Sequence, residues 1–171
     1  TMEDYENNTG SGTVYGAFRI IIDKLKDLND KAPILLITPL QRGDFVYVNN
    51  YKNNAYGSYR EKQGQKLSDV AKAIQKIAGK EQLEIIDLYH NSGIRQKNMV
   101  RFKWLKNPDT GQYKAYKYPG YRDIPFDPEK DEYPYPPEAI DMTYDGLHPS
   151  DKGNEVIANM IVRKMKSIQF P

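Results

Sequence analysis

Val14, Phe18, Ile21, Leu25 and Leu28 recur at three- and four-residue spacing while Arg19, Asp23, Lys24 and Lys26 mostly point away, which predicts a helix from about 13 to 29. The polar, Gly/Asn-rich residues 1–12 before it read as a loop. Pro33 closes the helix, and the continuous apolar run from Ile34 to Thr38, stopped by Pro39, predicts a short strand covered on both faces. The chain then turns polar and irregular until Ser58-Tyr59-Arg60-Glu61, which matches a capping box. Leu67, Val70, Ala71, Ile74, Ile77 and Ala78 line one face of a second helix, and Gly79 is expected to stop it. Leu83 to Tyr89 is the second strand candidate. Strand, helix and strand in this order form a βαβ unit, which implies a parallel sheet and a right-handed crossover.

The pattern changes after about Asn107. Residues 107–144 hold seven of the 14 tyrosines and seven of the 11 prolines, so neither a long helix nor a long strand is expected there. One hairpin is: Lys103-Trp104-Leu105 against Tyr113–Tyr116, turning through Asn107-Pro108-Asp109-Thr110-Gly111. Val156, Ile157, Met160, Ile161, Met165 and Ile168 then make the apolar face of a closing helix, with Ser150 at its N-cap.

Two buried strands cannot cover what three amphipathic helices present, because a parallel sheet needs about four to six strands for that. The 39% hydrophobic content and mean hydropathy of −0.79 over 171 residues agree with a shortage of core. The expectation is a single, incomplete domain over 1–171 with an insertion at about 100–142. Its central strands would come from another chain or from an amino-terminal extension. Ile34 to Thr38 would then offer an open strand edge to an N-terminal segment or to a second copy in a homo-oligomer.

Charge and composition narrow the function. With 25 Lys+Arg against 23 Asp+Glu the net charge is +2, and no basic stripe marks a nucleic-acid partner. No apolar run approaches the roughly 18 to 20 residues of a membrane span. Zero cysteines exclude disulfides, CxxC zinc sites and a thiol nucleophile, and two histidines argue against a His-rich metal site. The start at Thr1 shows no basic-then-apolar targeting segment and suggests a processed or truncated amino terminus. The composition leaves the compartment open, and a periplasmic or secreted address is the expectation.

The chemistry concentrates in Thr143-Tyr144-Asp145-Gly146-Leu147-His148-Pro149-Ser150-Asp151-Lys152-Gly153. An aspartate three residues before a histidine in a tight turn lets the carboxylate hold one imidazole nitrogen while the other faces outward. Such a pair can take a proton from a serine hydroxyl. Taken alone, Asp-x-x-His is also a common turn, with Ser150 merely a cap. The longer string DGLHPSDKGNEVIA resembles the last block of the SGNH (GDSL-like) hydrolases, DGLHPsxxGxxxxA, through Asp145, Gly146, Leu147, His148, Pro149, Ser150, Gly153 and Ala158. The resemblance implies the second half of a flavodoxin-like α/β/α sandwich, a three-layer fold lacking its N-terminal strands, with the Tyr/Pro-rich stretch as an insertion. It further implies that Asp145 and His148 are the acid and base of a triad, with no cofactor.

The rest of that family's site is missing from the sequence. Ser11, Ser58, Ser68, Ser92, Ser150 and Ser167 stand in neither a Gly-Asp-Ser nor a GxSxG context, and no Gly-x-Asn-Asp block supplies oxyanion donors. Ser11 is the least poor candidate, and its Gly-Ser surroundings read as loop punctuation. The family nucleophile is therefore expected upstream, and the chain alone is expected to be inactive.

Ligands of open parallel sheets sit beyond the carboxyl ends of the strands, which places Arg42 and His90 as candidates to line the cleft. Arg42 suits a carboxylate or a sugar hydroxyl, and more readily an ion pair with Asp44 or plain solvation. His90 reads as a loop histidine rather than a second base, and neither takes a catalytic role. Trp104 and the tyrosines of the insertion suit sugar faces, or simply pack an irregular surface. Asp127, Glu129, Asp131 and Glu132 lack the pattern of a Ca²⁺ loop and read as a solvated turn. The leading expectation is a serine esterase removing acetyl-type O-acyl groups from a small acylated substrate, a carbohydrate. The alternative is a non-catalytic carbohydrate- or protein-binding module built on the aromatic insertion.

Overall fold

The computed structural model describes residues 1–44, 57, 61 and 64–168. The chain is mixed α/β: α1 (Met2–Glu6), α2 (Val14–Leu28), β1 (Leu35–Ile37), α3 (Leu67–Glu81), β2 (Glu84–Ile86), α4 (Leu88–Asn91), β3 (Lys103–Lys106), β4 (Tyr113–Tyr116) and α5 (Asp151–Ser167). β1 and β2 pair in parallel, Leu35 with Glu84 through Ile37 with Ile86, as the strand-helix-strand order predicts. β3 and β4 form the expected antiparallel hairpin, Lys103 facing Tyr116 and Lys106 facing Tyr113. Asn107 makes that turn: its side-chain oxygen accepts from the Asp109 and Thr110 N–H groups at 2.9 Å each, an Asx-turn that only a short amide or carboxylate can build.

The framework divides into two compact units. The first comprises residues 1–40, 65–92 and 159–171, and the second 41–64 and 93–158. The first has a core of Tyr5, Ile22, Leu36, Ile74, Ile77 and Ala78, flanked by Tyr15, Phe18, Val70 and Ile85. Thr13 caps α2 by accepting from the Gly16 N–H at 3.1 Å. No helix among the described residues is long and apolar enough to cross a membrane.

Several expectations change. Residues 2–6 form a helical turn rather than loop, because Tyr5 is fully buried against α2 and pulls the segment in. The buried side of α2 runs through Phe18 and Ile22, whereas Ile21, Leu25 and Leu28 of the expected face are 52%, 42% and 83% exposed. The expected face is thus rotated by about one residue. Gly79 does not stop α3: the helix runs on to Glu81, and Gln82 takes the left-handed position with φ +54°. The Ser58–Glu61 capping box falls on residues 58–60, outside the described residues. α3 instead begins at Leu67, where the Asp69 carboxylate accepts from the Lys66 N–H at 3.0 Å. β1 is not covered on both faces, since Ile37 is 41% exposed. The second strand stops at Ile86, because the Asp87 side chain accepts the His90 N–H and starts α4. On α5, Met165 of the predicted apolar face is exposed and Gly153 is the buried residue.

Candidate active site

Residues 142–150 fold into a loop pinned at its base. The Thr143 N–H and hydroxyl both donate to the Met99 carbonyl at 2.8 Å, and Thr143 bridges Pro149 in antiparallel fashion. Across the loop, the Tyr144 N–H donates to the His148 carbonyl at 2.9 Å. Ser150 then opens α5, its hydroxyl accepting the Gly153 N–H and its carbonyl accepting the Asn154 N–H. Gly153 has to be glycine because a Cβ there would lie 2.1 Å from the Met142 carbonyl oxygen. These contacts give the motif's spacing a physical reason: the same loop closes on itself and caps the helix behind it.

Within this frame Asp145 and His148 meet. The Asp145 Oδ2 stands 2.7 Å from the His148 Nδ1, while Oδ1 accepts the Leu147 N–H at 2.9 Å and the His148 N–H at 2.8 Å. Two backbone donors fix the carboxylate in direction, with Oδ2 turned to the imidazole Nδ1. Asp145 is buried, whereas the His148 side chain is 59% exposed. This is a buried carboxylate under an accessible ring.

Sequence reasoning missed the second layer of the loop. Thr143, fully buried, accepts the Gly146 N–H at 2.9 Å. Gly43 donates to the Gly146 carbonyl at 2.8 Å, so the segment after β1 docks on the dyad loop and carries Arg42, half-buried, beside that contact. Asp44 continues the segment: its carbonyl accepts the Tyr135 hydroxyl, and its carboxylate lies 3.6 Å from the Lys103 Nζ. The Lys103 ammonium, almost wholly buried, stands 4.7 Å from the centre of the Tyr121 ring and 5.3 Å from that of Tyr135. Two aromatic faces and one carboxylate keep that charge tolerable in a dry place. Burial and the Asp44 charge push the Tyr135 phenol well above its usual range, so it stays a hydrogen-bond donor. A lysine at a strand start followed by a Tyr-Pro-Tyr-Pro-Pro run was the available signal, but nothing local says that they converge.

His90 belongs to the other unit, and it too sits three residues after an aspartate. Its Nδ1 lies 2.8 Å from the Asp87 Oδ2, which also accepts from the Gln75 amide at 2.6 Å. Asp87 Oδ1 accepts the Thr38 hydroxyl at 2.9 Å, and the Thr38 oxygen accepts the Tyr89 N–H at 3.0 Å. Burial raises the Asp87 carboxyl, but the bonds from the His90 N–H, the Thr38 hydroxyl and the His90 ring outweigh it and hold it below its usual value. This network stitches the ends of β1 and β2 to α4.

The acidic run closes as a turn, Asp131 accepting the Asp127 N–H at 2.7 Å and Asp127 accepting the Glu129 N–H at 3.0 Å. Among the described residues no group of three or more His, Asp or Glu side chains is placed to hold a metal ion.

The GDSL-like lipase/acylhydrolase family matches residues 9–161. The crystal structure of a possible lipase from Chitinophaga pinensis DSM 2588 superposes with a TM-score of 0.93 at 53% identity, over 97% of this chain and 65% of that one. A second crystal structure superposes with a TM-score of 0.56 at 19% identity, over 96% of this chain and 60% of that one, a likeness of fold alone. The chain thus spans less than two thirds of either neighbour. No curated protein matches it.

Proposed function

Because the chain belongs to the GDSL-like lipase/acylhydrolase family, we propose that it supplies the acid and base of a serine esterase that removes O-acyl groups from carbohydrate. The observation that carries this reading is the 2.7 Å contact between the buried Asp145 carboxylate and the His148 Nδ1, with the carboxylate pinned by two backbone N–H groups. A mere binding surface has no need of a carboxylate so fixed. In this reading β1 and β2 are part of a flavodoxin-like three-layer α/β/α sandwich in a single domain, with residues 100–142 as its insertion.

The chemistry runs as acyl transfer. His148 Nε2 takes the proton of a serine hydroxyl as its oxygen attacks the ester carbonyl, and Asp145 stabilises the imidazolium so formed. The proton passes to the departing alkoxide as the C–O bond breaks. Water then attacks the acyl-serine, giving its proton to His148, which returns it to the serine oxygen as the acid leaves. None of the serines here stands in a Gly-Asp-Ser block, so the proposal assigns the nucleophile and the oxyanion donors to no residue of this sequence. It expects only background turnover from the 171 residues alone.

The test is hydrolysis of p-nitrophenyl acetate by the protein joined at its amino end to a Gly-Asp-Ser segment. His148→Ala should cost about a thousandfold or more in kcat while circular dichroism stays native. Turnover retained in that variant would overturn the mechanism.

A further inference from the structure

Tyr133-Pro134-Tyr135-Pro136-Pro137 forms a strap laid against β3, and residues 139–140 beyond it lie against the residues before β3. The Trp104 N–H donates to the Pro134 carbonyl at 2.9 Å, the Arg101 N–H donates to the Ala139 carbonyl at 2.7 Å, and Val100 bridges Ile140. Pro134 is fully buried, so the strap is anchored through its middle. Its alternate residues part company: Tyr135 is buried, with its hydroxyl on the Asp44 carbonyl, whereas Tyr133 is 46% exposed. The two rings meet edge to face at 5.6 Å and 68°.

This places Tyr133 one aromatic ring away from the loop that carries Asp145 and His148. The Tyr135 hydroxyl is 3.5 Å from where a Cβ of Gly146 would stand, next to Asp145 in the chain, and Tyr133 packs on the Tyr135 ring. Burial first, and then the Asp145 charge, raise the Tyr133 phenol. Three other described rings are already engaged. Trp104 and Tyr113 stack on each other at 6.5 Å and 13°, and the Trp104 indole N–H is bonded to Glu132. Tyr144, the other exposed ring of the loop, ties its hydroxyl to Asp151 at 3.0 Å, and its phenol feels Asp151 rather than Asp145.

We propose that Tyr133 is the specificity wall of this site, taking the apolar C–H face of a pyranose ring so that an acyl ester on that ring is presented to His148. A flat, rigid ring with a polar tip suits a sugar, which offers a patch of C–H on one side and hydroxyls around the rim. Two prolines and a buried neighbour hold the ring in place before substrate arrives, which lowers the ordering cost of binding. This proposal rests on the ester-hydrolase reading above.

The experiment is an NMR titration of the 171-residue chain with methyl β-galactopyranoside carrying one O-acetyl group. Tyr133→Ala and Tyr133→Leu should each weaken binding about tenfold, and Tyr133→Phe should stay within about twofold, because the flat face matters more than the hydroxyl. Tyr133 is half exposed, so all three variants should keep the native melting curve. Unchanged affinity in Tyr133→Ala, or no binding by the parent chain, overturns the proposal. His148→Ala, titrated alongside, should still bind the sugar. Turnover retained when the same substitution is made in the joined enzyme would overturn the hydrolase reading and leave the binding result standing, so the two failures are distinguishable.

Discussion

A Cβ on Gly146 would stand 2.8 Å from the Asp44 carbonyl oxygen, on a backbone already at φ +86°. Both demands fall on the residue between Asp145 and Leu147. Gly146→Ala should therefore cost about 1–3 kcal/mol, read as a lower urea midpoint with an unchanged slope. The same substitution should lower kcat of the joined enzyme more than KM, since it shifts Asp145 relative to His148. The glycine itself was legible in the sequence as part of the DGLHP string. Its reason was not, because the segment that crowds it comes from residues 43–44, about a hundred positions earlier. The contact between Asp145 and His148 was legible because it spans three residues. Thr143, Lys103 and Tyr135 were not, because each acts through a partner remote in the chain.

Helix ends show the same division. The Thr13 and Ser150 caps follow from local side-chain chemistry, and the hairpin turn at Asn107 does likewise. The end of α3 does not. Gly79 has open space around a would-be Cβ, yet the helix continues through it, since Ala78 is buried and the Ala78 carbonyl accepts the Leu83 N–H at 2.9 Å two residues beyond Glu81. Packing decides the length, and the left-handed residue falls on Gln82. A glycine there relieves the Cβ strain: Gln82→Gly should raise stability by about 0.5–1 kcal/mol in urea unfolding. On α2, periodicity marked an apolar stripe but not which flank is used. Tyr5, outside the helix, chooses Ile22 over Ile21 by filling the space beside it.

At the scale of the whole molecule, acid acts through carboxylates whose native partners hold them down. Lys26, 2.6 Å away, lowers Glu81 from 4.5, and the Thr38 and His90 bonds bring Asp87 below 3.8 despite its burial. A depressed folded-state value means stability that is present above these ordinary values and lost as pH falls through the lower folded ones. Unfolding free energy measured in urea should thus be flat near neutrality and fall below about pH 4. Asp87→Asn should cost about 1–3 kcal/mol at neutral pH and flatten that acid slope. An unchanged slope would remove Asp87 from the account.

The division of the chain also bears on how it is made. The first unit takes residues 1–40 and 65–92 and then waits for 159–171, where Lys164 pairs with Glu84 and Met160 faces Ile85 and Ile86 across a cleft. All described segments of the second unit leave the ribosome before that helix end does. Of these segments the first unit holds both the earlier-made and the later-made, and for the time needed to synthesise residues 93–158 its parallel strand pair lacks this flank. Translation speed through that Tyr/Pro-rich stretch therefore sets how long a half-built sheet stays open to chaperones or to a neighbouring nascent chain.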